Sequence, residues 1–269
     1  MYLDGYNKNM IKAIFFDIDG TLVSFVTHRV PESTLRTLWE LKKNGILLFI
    51  ATGRSRDGLG VLEEFPFDGY VTMNGQYCFT RDGTVIYENT IPRKDLLLLK
   101  QELDKHPFPC GFEMPDGKIF NYRDERVDEV HAITLNDDQP AGDITGIEDK
   151  KVYQVMAFLN EEEEKAVMEK LPDCISARWY PTFCDISPVG GTKVKGMDCF
   201  AKKFGFDMEE TMAFGDGGND LAMLEHAGTG IAMANGVQAL KEAADYITDD
   251  VDHEGVRKAC IRYHLIKGE

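Results

Sequence analysis

The sequence predicts a doubly wound α/β core interrupted by an α+β insert, and three observations carry that fold class. Short apolar, β-branched or aromatic runs alternate with helix-length amphipathic segments toward both ends of the chain, the pattern of strands buried on both faces of a parallel sheet. Polar and acidic residues begin where those runs stop. Between about Thr80 and Pro188 the rhythm changes to hairpin-like pieces separated by turn residues.

The run Ile11-Lys-Ala-Ile-Phe-Phe16 reads as a buried strand ending in Asp17-Ile-Asp-Gly-Thr21. Pro31 to Asn44 places Leu35, Leu38, Trp39 and Leu41 at near-helical spacing, with Gly45 as a stop. Ile46–Ala51 is a second strand ending in Thr52-Gly-Arg54, and Gly69–Met73 a third ending in Asn74-Gly75. In the insert, Thr84–Ile91, Lys118–Tyr122, Val152–Leu159 and Ser176–Tyr180 read as strands, with Pro115-Asp-Gly117 as a turn. Asp95–His106 and Glu161–Leu171 read as helices, the second opening with four glutamates that suit a positive helix N-terminus. The first rhythm resumes with a helix at Lys193–Phe204, a strand at Thr211–Phe214 ending in Gly215-Asp-Gly-Gly-Asn-Asp220, and a helix at Leu221–Ala227. Strands at Gly230–Ala234 and Asp245–Thr248 complete it. The predicted division is a core at 1–80 and 189–269, with residues 1–9 as a disordered tail, and an insert at 81–188.

Composition narrows the function. Thirty Lys and Arg against 46 Asp and Glu leave a net charge of −16, which argues against a broad nucleic-acid or anionic-lipid surface. The six cysteines lie far apart with no C-x-x-C pair, so they read as reduced thiols filling cores. No basic, apolar leader opens the chain and no apolar run reaches the ~18 residues that span a bilayer. The expectation is a soluble cytoplasmic protein, monomeric, with no membrane or nucleic-acid partner.

In a doubly wound sheet, ligands bind outside the carboxyl ends of the strands. Asp17 and Asp19, Thr52, and Asp216 and Asp220 all fall at such ends. Converging carboxylates repel one another, and an oxygen-seeking cation such as Mg²⁺ would relieve them. A calcium loop starting at Asp216 fails, because its sixth and twelfth positions are Leu221 and Ala227 rather than Gly and Glu. The six histidines show no paired ligand spacing, Met223 and Met233 sit in apolar patterns, and Phe112, Glu113, Arg123, Arg178, Trp179 and Tyr180 of the insert are candidates to face a ligand for which a structural role is the stronger reading.

Asp17-Ile-Asp-Gly-Thr-Leu22, Ala51-Thr-Gly-Arg54, Asn74-Gly75, Gly190-Gly-Thr-Lys193 and Phe214-Gly-Asp-Gly-Gly-Asn-Asp-Leu-Ala-Met-Leu224 together resemble the motifs of the haloacid-dehalogenase-like phosphohydrolases. The resemblance is to the Cof-type branch, which carries a large α+β cap between its second and third motifs, and it runs from Ile11 to about Leu265. It implies a Rossmann-like core and a specificity cap with hinges near Thr80–Gly83 and Ser187–Gly191. It also implies a Mg²⁺-dependent phosphatase acting on small phosphorylated metabolites, sugar phosphates first. By the same resemblance Asp17 is the nucleophile that forms an aspartyl-phosphate and Asp19 the general acid and base. Thr52, the Gly53 amide, Lys193 rather than Lys195, and Asn219 bind the phosphoryl group. The metal takes Asp17, the Asp19 backbone carbonyl and Asp216, with Asp220 beside it; Asn74 is a candidate to meet substrate, and Arg54 either reaches substrate or orients the loop, with a purely structural ion pair as an equal alternative. A phosphomutase is the alternative within the same chemistry, disfavoured because only about thirty residues separate Asp19 from Thr52, too few for a helical cap there. A non-catalytic sugar-phosphate-binding module is the alternative outside it.

Overall fold

A computed structural model of the chain describes residues 11–62, 65–115, 117–134 and 141–268. The first nine residues, Asp116 of the expected turn and the Trp179 side chain lie outside that description. β1 (Ala13–Phe16) shows why the apolar runs are strands: Ile14 and Phe16 pack with Leu38, Leu41 and Ala259, whereas Ala13 and Phe15 pack on the opposite side with Phe49, Met197 and Phe200. Both faces are dry, so alternation of polar residues is absent. β2 (Leu47–Ala51) repeats the split, with Leu48 and Ile50 on one face and Phe49 and Ala51 on the other. Helices α1 (Glu32–Lys43) and α8 (Gly255–Arg262) cover the first face. Helices α5 (Lys193–Phe204), α6 (Leu221–His226) and α7 (Gln238–Ala243) cover the second.

β1 pairs in parallel with β2 and with β11 (Thr211–Gly215). β3 (Gly69–Thr72) extends the sheet beyond β2, and β12 (Thr229–Ala232) and β13 (Tyr246–Ile247) extend it beyond β11, all in parallel. Two further strands, β4 (Tyr77–Thr80) and β5 (Val85–Glu88), finish an eight-stranded sheet of order β13-β12-β11-β1-β2-β3-β4-β5. The strand expected at Thr84–Ile91 is thus shorter and lies at the edge of the core sheet. Asn74-Gly75, read as a strand end, is the reversal of a hairpin in which β4 runs antiparallel to β3, a signal that dipeptide carries in its own right. One compact unit comprises the described parts of Met1–Tyr87 and Thr192–Glu269, and a second comprises Glu88–Gly191.

The second unit is a five-stranded sheet of order β7-β6-β8-β10-β9. Its strands are β6 (Cys110–Met114), β7 (Gly117–Phe120), β8 (Gln154–Ala157), β9 (Cys174–Tyr180) and β10 (Phe183–Pro188), antiparallel at every junction. Helices α2 (Arg93–Lys105), α3 (Glu125–Thr134) and α4 (Glu161–Met168) accompany it. The four glutamates do form the first turn of α4, where Asn160 and Glu163 close a capping box. β6, β10 and α3 escape the sequence pattern because Gly111, Asp185 and Pro188 break the strand signal and α3 is only weakly amphipathic.

Two consequences are measurable. Phe15 is fully buried and stacks on Phe49 at a centroid distance of 4.9 Å, so Phe15→Ala should cost about 3–5 kcal/mol in denaturant unfolding; a loss below about 1 kcal/mol would contradict the packing. All six cysteines are free thiols and all but Cys199 are buried. Burial pushes the Cys174 and Cys184 thiols up to about 12, so they stay protonated at pH 8 and unreactive. A thiol reagent at pH 8 should therefore modify Cys199 in the native protein and the other five only after unfolding.

Candidate active site

The chain winds from β1 outward through β2 and β3, then returns to the other side of β1 through β11. The carboxyl end of β1 is therefore a topological switch point, where neighbouring loops part and leave a crevice. The loop after β1 brings Asp17 and Asp19, the loop after β2 brings Thr52 to Arg54, and the loop after β11 brings Asp216 to Asp220. Gly20, at φ +77°, is required there: a Cβ at that position would lie 2.2 Å from Asp216 Oδ2.

Lys193, the first residue of α5, reaches the same point and donates to Asp17 Oδ1 and Asp220 Oδ1, each at 2.6 Å. Lys195 instead is exposed, its ammonium 5.7 Å from the Tyr87 ring centroid. A lysine at a helix N-terminus opposes the helix dipole, and burial also works against its charge, but Asp17 and Asp220 outweigh both and hold the Lys193 pKa above its ordinary value. Burial pushes the Asp17 carboxyl upward against the pull of Lys193, and Asp220 adds to the rise. Asp216 is raised to about 6, chiefly by burial and then by Asp220.

Asp220 is buried and saturated: its Oδ2 accepts the Asp216 and Gly217 amides at 3.0 and 2.9 Å, while its Oδ1 takes Lys193. It pins the loop after β11 as much as it supplies charge. One oxygen from each of Asp17, Asp216 and Asp220 lies within 4.8 Å of the others. Three buried carboxylates thus face one ammonium, an all-oxygen donor set with uncompensated negative charge. That set fits a hard divalent cation such as Mg²⁺.

On the other side of Asp17, Thr52 is buried and its hydroxyl oxygen accepts the Arg54 amide at 3.1 Å, which leaves its O–H to donate. The segment that follows Gly53 is a 3₁₀ helix that begins only at Arg56. Gly58 and Gly60 within it disfavour an α-helix, so an anion there would meet local amides rather than a full helix dipole. Asn74 and Asn219 are joined to each other, Asn219 Nδ2 donating to Asn74 Oδ1 at 3.0 Å. Met73, Asn74 and Gly75 have φ of +48°, +52° and +101°, a left-handed turn held by the Met73 amide on the Arg54 carbonyl and the Asn74 amide on the Thr52 carbonyl, both at 2.9 Å. A Cβ at Gly75 would sit 2.1 Å from the Thr192 carbonyl oxygen. Gly75→Ala should therefore displace Thr192 and, with it, Lys193, lowering kcat at least tenfold; unchanged kcat would show that α5 does not depend on this turn.

Several contacts are not legible in the motifs. Asn235, after β12, donates to the Gly20 carbonyl at 2.9 Å and to Asp216 Oδ2 at 3.2 Å, while Thr21 donates to Asp216 Oδ1 at 3.1 Å. An Asn in a Met-Ala-Asn-Gly turn carries no signal of its own. Asp19 and Arg54, predicted for separate tasks, form a bidentate pair at 2.7 and 2.8 Å. In the second unit, Phe112 is core, and Arg178 is held by Glu164 and by the carbonyls of Leu159, Tyr180 and Pro181.

A doubly wound sheet whose switch point gathers three aspartates and a lysine is an α/β arrangement suited to phosphoryl transfer. The chain belongs to the haloacid dehalogenase-like hydrolases, whose family model matches residues 14–260, and it is a phosphatase. It is 36% identical over 261 residues to YkrA of Bacillus subtilis (strain 168), a protein provisionally named a phosphatase, covering 95% of this chain and 99% of YkrA. The fold matches BT1666 from Bacteroides thetaiotaomicron, a phosphatase of the same superfamily, with a TM-score of 0.88 at 34% identity, over 99% of this chain and 98% of that one. It also matches BT4131, a subclass IIB sugar phosphatase, with a TM-score of 0.83 at 41% identity, over 95% of this chain and 100% of that one. No helix among the described residues is long and apolar enough to cross a membrane.

Proposed function

We propose that the chain is a Mg²⁺-dependent phosphomonoesterase that hydrolyses small phosphate esters, sugar phosphates foremost, through a phosphorylated Asp17. The observation that carries this reading is the buried Asp17 carboxylate, with one oxygen fixed by Lys193 beside Asp216 and Asp220. The other oxygen of Asp17 is the one to attack phosphorus. As the Asp17 O–P bond forms, the ester P–O bond breaks and Asp19 gives its proton to the departing alkoxide. Asp19 then takes a proton from water as the water oxygen attacks phosphorus and the Asp17 O–P bond breaks, releasing phosphate and restoring both carboxyls.

Lys193, the Thr52 hydroxyl and the Gly53 amide neutralise charge on the phosphoryl oxygens, which is most of what such a transfer requires. Asp17, Asp216 and the Asp19 carbonyl would hold Mg²⁺, with Asp220 beside them. When bound, the cation lowers the repulsion between the carboxylates and an incoming phosphate. The sugar-phosphate preference rests on likeness to BT4131, and six free thiols suit a reducing, cytoplasmic setting.

Phosphate release from a panel of sugar phosphates and other small esters, with Mg²⁺ and with a chelator, tests the reading. Mg²⁺-dependent release supports it; conversion to an isomeric phosphosugar without release would replace it with a mutase. Metal binding has a readout independent of turnover. Mg²⁺ at about a hundred times its dissociation constant should stabilise the fold by about 2.7 kcal/mol, seen as a rise in Tm. Asp216→Asn should lose most of that rise; an equal rise in the variant would place the cation elsewhere.

A further inference from the structure

Arg54 makes an arrangement around Asp19 that the reaction alone does not call for. Its Nε donates to Asp19 Oδ2 at 2.8 Å and its Nη2 to Oδ1 at 2.7 Å, while Nη1 donates to the Gly58 carbonyl at 3.1 Å. Three donors in one plane, with acceptors on two segments, fix the guanidinium orientation. The backbone of Arg54 is fixed as well, its amide on Thr52 Oγ1 at 3.1 Å and its carbonyl on the Met73 amide at 2.9 Å. Gly58 lets the Arg54 stem lie close, since a Cβ there would come within 3.2 Å of Arg54 Cβ. Among the described residues, Arg54 supplies both hydrogen bonds to the Asp19 carboxylate.

We propose that Arg54 is the positioning residue that aims Asp19 at the leaving-group oxygen. This inference rests on the reading of Asp19 as the group that exchanges a proton with the ester. A short carboxylate at the end of a loop has several rotamers, and the arginine fork selects one. The fork occupies one lone pair on each oxygen and leaves another on each for a proton. Arg54 thus acts through Asp19, and the same turn that shapes Thr52 for phosphate sets the anchor from which it does so.

The role has a signature that neither folding nor direct phosphate contact would produce. Protonating the leaving group matters for a poorly leaving alkoxide and hardly at all for a nitrophenolate, which departs unaided. kcat/KM, which reports the transfer to Asp17, should be measured on glucose 6-phosphate and on 4-nitrophenyl phosphate for wild type, Arg54→Met, Arg54→Lys and Asp19→Asn. Arg54→Met should lose about 100-fold on the sugar phosphate and less than about threefold on the aryl ester. Arg54→Lys, which keeps the charge but not the fork, should fall between wild type and Arg54→Met on the sugar phosphate and guards against a folding defect in the methionine variant. Equal losses on both esters in the Arg54 variants would overturn the proposal and assign Arg54 to the phosphate or the fold. Asp19→Asn separates the two levels: an ester-selective loss there with an unselective one in Arg54→Met refutes the positioning role alone. An unselective loss in Asp19→Asn refutes the reading of Asp19 itself, and the proposal with it.

Discussion

Asp17→Asn should abolish phosphate release, lowering kcat by at least about a thousandfold, while leaving the protein folded. The amide keeps the size of the carboxylate but cannot form the covalent link to phosphorus on which the proposed two-step route depends. Folding should survive because Lys193 retains Asp220 as a partner at 2.6 Å, so no buried charge is left wholly unpaired. Acid quenching of the wild-type reaction followed by mass analysis of peptides should find one phosphoryl group on the peptide containing Asp17, and none in the variant. Turnover within tenfold of wild type would remove Asp17 from the chemistry.

Lys193→Met should be the most damaging single change, to activity and stability alike. It deletes the ammonium that, among the described residues, is bonded to both Asp17 and Asp220, leaving carboxylates buried beside one another. Breaking a buried pair by removing one partner costs about 3–5 kcal/mol, and kcat should fall at least a hundredfold because charge on the phosphoryl oxygens is no longer offset. The pH dependence has a definite sign. Without Lys193 the upward push of burial on Asp17 is unopposed, so the folded state binds protons more tightly than the unfolded chain. Stability of the metal-free variant should then rise as pH falls from 7 toward 5. A variant as stable as wild type at pH 7, or one that loses stability on acidification over that range, would show that Lys193 does not carry this charge balance.

The sequence conveyed the fold class because each buried strand announces itself by an unbroken apolar run and each loop that follows by polar residues. Ile11–Phe16 followed by Asp17 is the clearest case, and the four-stranded centre of the core follows from repeats of that pattern. Residues at strand ends were legible for the same reason: the change from apolar to polar marks which residue first leaves the sheet. Asp17, Lys193, Asp216 and Asp220 meet in space although 176 positions separate Asp17 from Lys193. The bond between Arg54 and Asp19 was not legible, since it depends on a rotamer and on where a 3₁₀ segment begins. Nor was Asn235, whose contact with Asp216 arises from two loops on neighbouring parallel strands. The hairpin at Asn74-Gly75 is visible as a dipeptide but reads as the end of a strand, because a reversal into an antiparallel edge breaks the alternation expected of a parallel sheet.

The central position of β1 also has a meaning in time. On a ribosome β1 emerges before β2 and β3, and β11 is made only after the whole of Glu88–Gly191, a unit with its own hydrophobic core, has appeared. At about 5–20 residues per second, Asp17 waits roughly 9–35 s for Lys193. Through that interval the nascent chain holds its carboxylates without their counter-charge, and the β11 side of β1 stands as an unpaired edge carrying Phe15 and Phe16. An open, apolar strand edge is a template for misplaced pairing. Synthesis order therefore puts a temporarily open edge in the middle of the finished sheet, a place that shows no edge once the chain is complete.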